Sequence, residues 1–292
     1  VDPEILRDRG YIRGTVNLPE KRAEVLQQPG GRDWRRVHND QITYGGGWVI
    51  FGFSLLLALF LLVRGRVPLH KGFSGREVKR FNALERANHW VTATSFLVLA
   101  VTGLILVYGQ YFLKPWMGAD AYSGLATGSA WVHMAFMVPF VLGVLLMIAL
   151  WVHQNIITGR DLKWLAKGGG FVTDKVKDVP PQGRFNAGQK LIFWAVVLSM
   201  FVLLGTGLSL MFPFFWLGYD GMQWAQLAHA AVGLVMVAVI IGHIYIGTIG
   251  MVGAFWAMWN GRVDRNWAEE HHELWLRRLE GEDRTGQPAP AE

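Results

Sequence analysis

LAHAAVG (Leu227–Gly233) and IIGHIYIG (Ile240–Gly247) lie in one apolar run, and each centres on a histidine, His229 and His243, fourteen residues apart. At 100° per residue the second histidine is only about 40° from the first and about 21 Å further along a helix axis. Both then face the same side of one helix, near opposite faces of a bilayer. Gly233 and Gly247 each follow their histidine by four residues. They lie on the same stripe one turn on, where they clear space for something flat and bulky. Ionisable residues inside a membrane span are costly and mark function. Two imidazoles at two depths, each beside a small residue, suit two stacked haems, one near each membrane surface.

The rest of the chain agrees with a membrane setting. Of its 292 residues 52% are hydrophobic and 17% charged, and several apolar runs are long enough to span hydrocarbon. There is no cysteine, so disulfides, thiolate-held iron–sulfur clusters and thiolate haem ligation are excluded from this chain. Iron bound here must rest on His or Met. The first residue is Val1 rather than Met, which fits either removal of a targeting peptide or missing residues.

Five spans are expected, over Gly45–Val63, His89–Tyr108, Ala130–His153, Leu191–Met211 and Ala225–Met258, the last long enough to project beyond the membrane. Trp and Tyr cluster near their ends, as interfacial anchors do. Arg64–Arg86 carries seven Lys/Arg and Gln154–Lys190 another seven, whereas Gly109–Ser129 carries one and Phe212–Trp224 none. The positive-inside rule places the two basic loops in the cytoplasm. The expected organisation is an extracytoplasmic arm (1–44), an extra transmembrane helix (45–63), a basic cytoplasmic loop (64–88), a four-helix di-haem bundle (89–259) and a cytoplasmic tail (260–292). The arm carries eight basic and seven acidic residues without clear periodicity, and reads as an extended segment packing on a partner. The fold class is all-α integral membrane protein. A bacterial inner membrane is expected, with membrane lipid around the bundle and no nucleic-acid partner.

Nine histidines are present. His38 and His70 fall in loops, and His271 with His272 in the tail, where solvation or ordinary hydrogen bonds suffice. Sorted by depth, His133 and His229 form an outer pair. On the inner side His243 faces either His89 or His153. His153 follows His133 by twenty residues, a rotation of about 200°, so it faces away from the interior if His133 faces in. His89 is therefore the better partner for His243. Gly103, fourteen residues after His89, would let the outer haem pass close to the second span, and Gly205 and Gly207 would do the same in the fourth. A single membrane histidine can simply hydrogen-bond a neighbouring helix. Four in two depth layers, two sharing a stripe with matched glycines, favour ligation. Bis-imidazole iron has both axial positions closed, so it carries electrons and leaves no site for oxygen or substrate.

Six stretches carry a resemblance: RANHW around His89, WVHMAFMVPF around His133, RFNAGQKLIFW from Arg184 to Trp194, LAHAAVG, IIGHIYIG, and NGRVDRNWAEEHHELW from Asn260 to Trp275. Over roughly Lys79 to Trp275 the chain resembles the cytochrome b (gamma) subunit of respiratory formate dehydrogenases. Histidine and glycine spacing alone would fit the di-haem cytochromes of hydrogenases and thiosulfate reductases as well; the FNAGQK segment and the tail favour the formate branch. The resemblance implies two haem b held by His89, His133, His229 and His243. It also implies a quinone (menaquinone or ubiquinone) contacted at His243 and Asn186. As partners it implies an iron–sulfur (beta) subunit and a molybdenum or tungsten catalytic (alpha) subunit. Trimers of heterotrimers occur in the family, though no feature here requires one. The chain departs from the shorter members by its first span and arm; the extra span has no histidine.

Read from its residues, Phe185–Lys190 places amides just before the fourth span. Asn186 can donate to a quinone carbonyl; it is equally suited to cap the helix that follows. Gln189 is a weaker quinone candidate, and Lys190 reads as an interfacial anchor. The expected function is electron transfer from an iron–sulfur partner, inward across the membrane, to quinone at the cytoplasmic side. Formate itself is oxidised elsewhere, because this chain has neither cysteine for clusters nor a pterin-binding domain. The competing readings are a histidine-relay transporter, which often shows internal repeats that are not evident here, and a plain membrane anchor.

Overall fold

The computed structural model describes residues 31–170 and 179–281; most of the expected N-terminal arm, residues 1–30, lies outside them. Five helices are long and apolar enough to cross a membrane: Asp33–Arg64, Ala83–Phe112, Ala119–Gln154, Ala187–Met211 and Tyr219–Gly250. The chain is thus an all-helical, multi-pass membrane protein, as its composition requires.

In chain order, α1 (Gly31–Arg36) runs through a π-helical stretch, Val37–Thr43, into α2 (Tyr44–Arg64). Then follow β1 (Glu77–Lys79), α3 (Ala83–Phe112), α4 (Lys114–Met117) and α5 (Ala119–Trp151). After these come α6 (Gly159–Ala166), α7 (Ala187–Met211), α8 (Tyr219–Tyr245), α9 (Trp256–Trp259), β2 (Arg262–Asp264), α10 (Arg265–His271) and α11 (Glu273–Leu279). Helix α3 packs chiefly on α5, α7 on α8, and α2 leans on α8. The last contact is glycine-mediated: a Cβ on Gly46 would collide with Leu234, and one on Gly242 would stand 3.0 Å from Phe53. No residue of α2 itself is buried.

Two expectations fail at span ends. Residues 31–43, expected as extended arm, are helical. Once the apolar span has met the cost of nucleation, adding polar residues to its N-terminus is cheap, even without an amphipathic period to announce them. Tyr108 Oη donates to the Thr43 carbonyl at 2.7 Å, where the π stretch meets α2. At the other end, the fifth span does not run to Met258. It passes through a π-helical stretch, Ile246–Gly250, and stops at Met251, which is extended. Gly247 and Gly250 favour helix poorly, and Gly253, at φ +84°, turns the chain back. The residues beyond fold down as a cap. Met251 bridges Val67, β2 pairs antiparallel with β1 (Val78 opposite Val263), and Leu274 N donates to the Gln182 carbonyl at 3.0 Å. Trp267, Trp275 and Leu276 of the cap are buried with Phe81, Trp151 and Phe185. The two basic loops and the tail therefore gather at one end of the bundle.

The long helices also reveal a repeat that the sequence reading overlooked. Eleven of the 25 positions from 80 to 104 carry the same residue 104 places later, among them Arg80/Arg184, Phe81/Phe185, Asn82/Asn186, Trp90/Trp194, Thr102/Thr206 and Gly103/Gly207. The geometry repeats too. Asn82 and Asn186 each cap their helix through a reciprocal box, with Glu85 and with Gln189. Arg80 Nη2 donates to the Arg184 carbonyl and Arg184 Nη2 to the Arg80 carbonyl, both at 2.7 Å. Trp90 donates its indole N–H to the Met258 carbonyl at 2.9 Å, just beyond the span of α8; Trp194 donates to that of Asn155 at 2.8 Å, just beyond the span of α5. Helices α3 and α5 are thus related to α7 and α8 by an approximate twofold. Helices α5 and α8 share little besides His133 and His229, which is why the repeat escapes a reading of apolar pattern alone.

Candidate functional site

The structure brings the four span histidines together in two pairs. His133 on α5 and His229 on α8 have ring centres 6.2 Å apart, with planes inclined at 62°. His89 on α3 and His243 on α8 are also 6.2 Å apart, inclined at 56°. All four are partly buried. His153 joins neither pair; it is exposed in the short 3-10 turn Val152–Gln154 that ends the third span. The first pair consists of residues equivalent under the twofold. The second does not: at the positions matching His89 and His243 stand Phe193 and Met147.

Each member of the first pair is held by a threonine. His133 Nδ1 lies 2.8 Å from Thr102 Oγ1, and His229 Nδ1 lies 2.9 Å from Thr206 Oγ1. The glycine after each threonine admits the ring: a Cβ on Gly103 would be 3.4 Å from His133 Cε1, and one on Gly207 would be 3.3 Å from His229 Cε1. Gly103 and Gly207 thus each face the ring of an outer-pair histidine. A Cβ at Gly233 or at Gly247 would meet no atom within 4 Å. His89 Nδ1 is buried without a hydrogen-bond partner.

These features fit haem. With metal–imidazole bonds of about 2.0 Å, two imidazoles on opposite sides of one iron have ring centres roughly 6.2 Å apart. Each site offers two imidazoles, which leaves the remaining iron positions for a macrocycle. Gly233 and Gly247, each one turn from a histidine, leave the helix face open where a flat group would lie.

The segment before α7 is more committed to structure than the sequence reading supposed. Asn186 Oδ1 accepts from Gln189 N at 3.0 Å, so the cap forms. Gln189 Oε1 accepts from Asn186 N at 3.1 Å and from Arg80 Nη2 at 3.3 Å. Gln189 Oε1 is thus engaged within the protein, and Asn186 keeps Nδ2 as its donor. Lys190 is no interfacial anchor. It is buried, with Nζ 3.0 Å from Asp161 Oδ2 and 3.0 Å from the Ile156 carbonyl. Tyr245, two residues beyond His243, has a buried hydroxyl without a partner. The sequence reading passed over it, and over both threonines, because neither residue type stands out in an apolar helix. The Thr-Gly pair repeated 104 residues apart was the available signal.

The tail histidines, expected to be solvated or to make ordinary hydrogen bonds, are buried. His272 is 0% exposed, and its Nδ1 donates to the Gly183 carbonyl at 2.8 Å. Burial, and then Arg80, hold its pKa well below the ordinary histidine range. His271 is lowered to about 4, chiefly by burial. Such groups must stay neutral in the fold but protonate when it opens. The stability they contribute is complete above their unfolded value of about 6.5 and declines as pH falls below it. For His271 alone the loss at pH 5 is about 2 kcal/mol. Amide hydrogen exchange across residues 262–279, corrected for its intrinsic rate, should accelerate between pH 7 and pH 5. A His271→Gln/His272→Gln double variant should lose most of that dependence.

Against known proteins, residues 80–261 match the family model of the prokaryotic cytochrome b561. The chain belongs to this family of haem-b membrane cytochromes. Among curated relatives, the nitrate-inducible formate dehydrogenase cytochrome b556(Fdn) subunit of Escherichia coli K12 is 28% identical over 211 residues, covering 70% of this chain and 92% of that one. The cytochrome b556(fdo) subunit of formate dehydrogenase from the same organism is 29% identical over 205 residues, covering 69% and 93%. A formate dehydrogenase cytochrome b556 subunit of Haemophilus influenzae is 27% identical over 206 residues, covering 66% and 79%.

Proposed function

We propose that this chain is the di-haem membrane subunit of a formate dehydrogenase, conducting electrons from an iron–sulfur partner on the outer face to quinone at the cytoplasmic face. The observation that carries the reading is the presence of two histidine pairs, each 6.2 Å between ring centres, at two levels of one bundle. The relatives' names add formate as the source of electrons. Bound haem would supply the one-electron chemistry at each level. His133 and His229 would hold the outer group, and His89 and His243 the inner one. With two imidazoles committed to each group, no protein-side position would be left for oxygen or substrate, and these residues would confine the chemistry to electron transfer.

The orientation rests on the gathering of basic loops and tail at one end, which the positive-inside rule assigns to the cytoplasm. His89 and His243 belong to that end. Asn186 also lies there, with Nδ2 free to donate to a quinone carbonyl while its Oδ1 holds the start of α7. The catalytic and iron–sulfur subunits then sit outside, and an inner membrane encloses the bundle. Protons for quinol come from the cytoplasm while formate oxidation releases protons outside, so turnover separates charge without moving a proton through this subunit.

The test uses the complex purified with its partners and reconstituted into vesicles. A reduced-minus-oxidised spectrum should show two low-spin b haems, both reducible by formate, and formate–quinone turnover should build a membrane potential. Asn186→Leu should slow quinone reduction at least tenfold while leaving both haems present and reducible. Electroneutral turnover would place the quinone site or the catalytic partner on the other face. Reduction of the haems by hydrogen, or their oxidation by thiosulfate, in place of formate chemistry would assign the chain to a different dehydrogenase or reductase.

A further inference from the structure

Each outer imidazole meets its threonine in the same way, in two helices related by the repeat. A hydroxyl has one hydrogen. Thr102 Oγ1 lies 2.7 Å from the Val98 carbonyl, one turn back, and Thr206 Oγ1 lies 2.7 Å from the equivalent Val202 carbonyl. That geometry commits the hydrogen to the backbone. The oxygen facing His133 Nδ1 at 2.8 Å and His229 Nδ1 at 2.9 Å can then only accept. Nδ1 must therefore carry the imidazole proton, and Nε2 holds the free lone pair. At the other level His89 Nδ1 is buried with no partner at all, so the two levels differ in what supports their ligands.

We propose that Thr102 and Thr206 are positioning residues for the His133–His229 pair: their hydroxyls fix both rings with Nδ1 protonated and Nε2 available, and lower the reduction potential of the iron held there. This rests on the reading of His133 and His229 as axial ligands. The physical reason is that accepting a hydrogen bond from Nδ1–H pushes electron density onto Nε2, makes the imidazole a stronger donor and favours ferric over ferrous iron. The His89–His243 pair lacks such a hydroxyl on His89 and favours the ferrous state more. Electrons then run downhill from the outer level to the inner, the direction that quinone reduction requires.

Redox titration of membranes containing the full chain, followed by the two haem absorbances, tests this. Thr102→Val and Thr206→Val keep the size of the side chain and remove the acceptor. Each should retain both haems and raise the potential of one couple by about 59 mV, a tenfold change in its reduction equilibrium constant. Thr102→Ser and Thr206→Ser, which restore the hydroxyl, should titrate as wild type. Unchanged potentials in both valine variants would overturn the proposal. So would serine variants that shift as far as valine, which would make the methyl the active feature, or a shift in the couple that His89→Ala abolishes. If Thr102→Val fails to accumulate, the comparison of Thr102→Ala with Thr102→Ser replaces it, and equal potentials there overturn the proposal equally. Failure of the underlying ligand reading is a different result: His133→Ala retaining both haems.

Discussion

If the proposed di-haem ligation holds, replacing His133 or His229 by alanine should remove one of two haem absorbances and leave the other; replacing His89 or His243 should do the converse. Each variant is expected to hold about half the wild-type haem, because a b-type group has no covalent tether and depends on its axial bonds for retention. His153→Ala should keep both, since that ring is exposed in a turn at the end of the third span and faces no other histidine. Haem per polypeptide, measured on purified variants alongside the reduced-minus-oxidised spectrum, decides it. The four substitutions carry a built-in comparison, because both members of a pair must remove the same absorbance. Loss of one absorbance by His133→Ala and of the other by His229→Ala would show that each histidine serves a different iron, and the 6.2 Å pairing would then have no functional meaning.

How much of this was legible beforehand depends on the kind of interaction. The two histidine pairs followed from helical rotation and bilayer depth, because those are one-dimensional quantities that residue spacing encodes directly. The rotation argument that set His153 aside works for the same reason. Span interiors were legible, and span ends were not. Apolar content says where a helix can cross, but the fifth span stops near Gly250 because of a cluster of glycines and a cap that folds onto the bundle, which are tertiary matters. The burial of His272 was invisible because HHELW reads as a polar tail until Gly183 and Trp267 are placed around it. Asn186 shows the middle case. Its sequence context offered a cap and a ligand at once, and the structure forms the cap while leaving one donor over.

The other large effect expected is on assembly, at the end where the two repeats cross. Glu85 is 5% exposed and is the carboxylate to which Arg184 Nη2 donates, at 2.8 and 2.9 Å. It also accepts from Trp151 Nε1 at 2.8 Å and from Asn82 N at 2.8 Å. Removing it strands a partly buried guanidinium and two buried or capping donors, a change that typically costs about 3–5 kcal/mol. The neighbourhood amplifies the loss. Arg80 is buried beside Arg184, and burial, then the charge of Arg184, already lower its pKa to about 9. Without Glu85 the two guanidiniums repel across the crossed Arg80–Arg184 backbone bonds that join the halves. Glu85→Ala should therefore lose haem on heating well below the temperature at which wild type does, with α3 and α7 separating at their capped ends. Glu85→Gln makes that position match its repeat partner Gln189 and keeps one acceptor, so its loss should be smaller. Arg184→Ala added to Glu85→Ala should recover part of the stability, because the stranded charge is gone. If the double variant is as unstable as the sum of its single changes, the Glu85–Arg184 pair contributes no mutual energy.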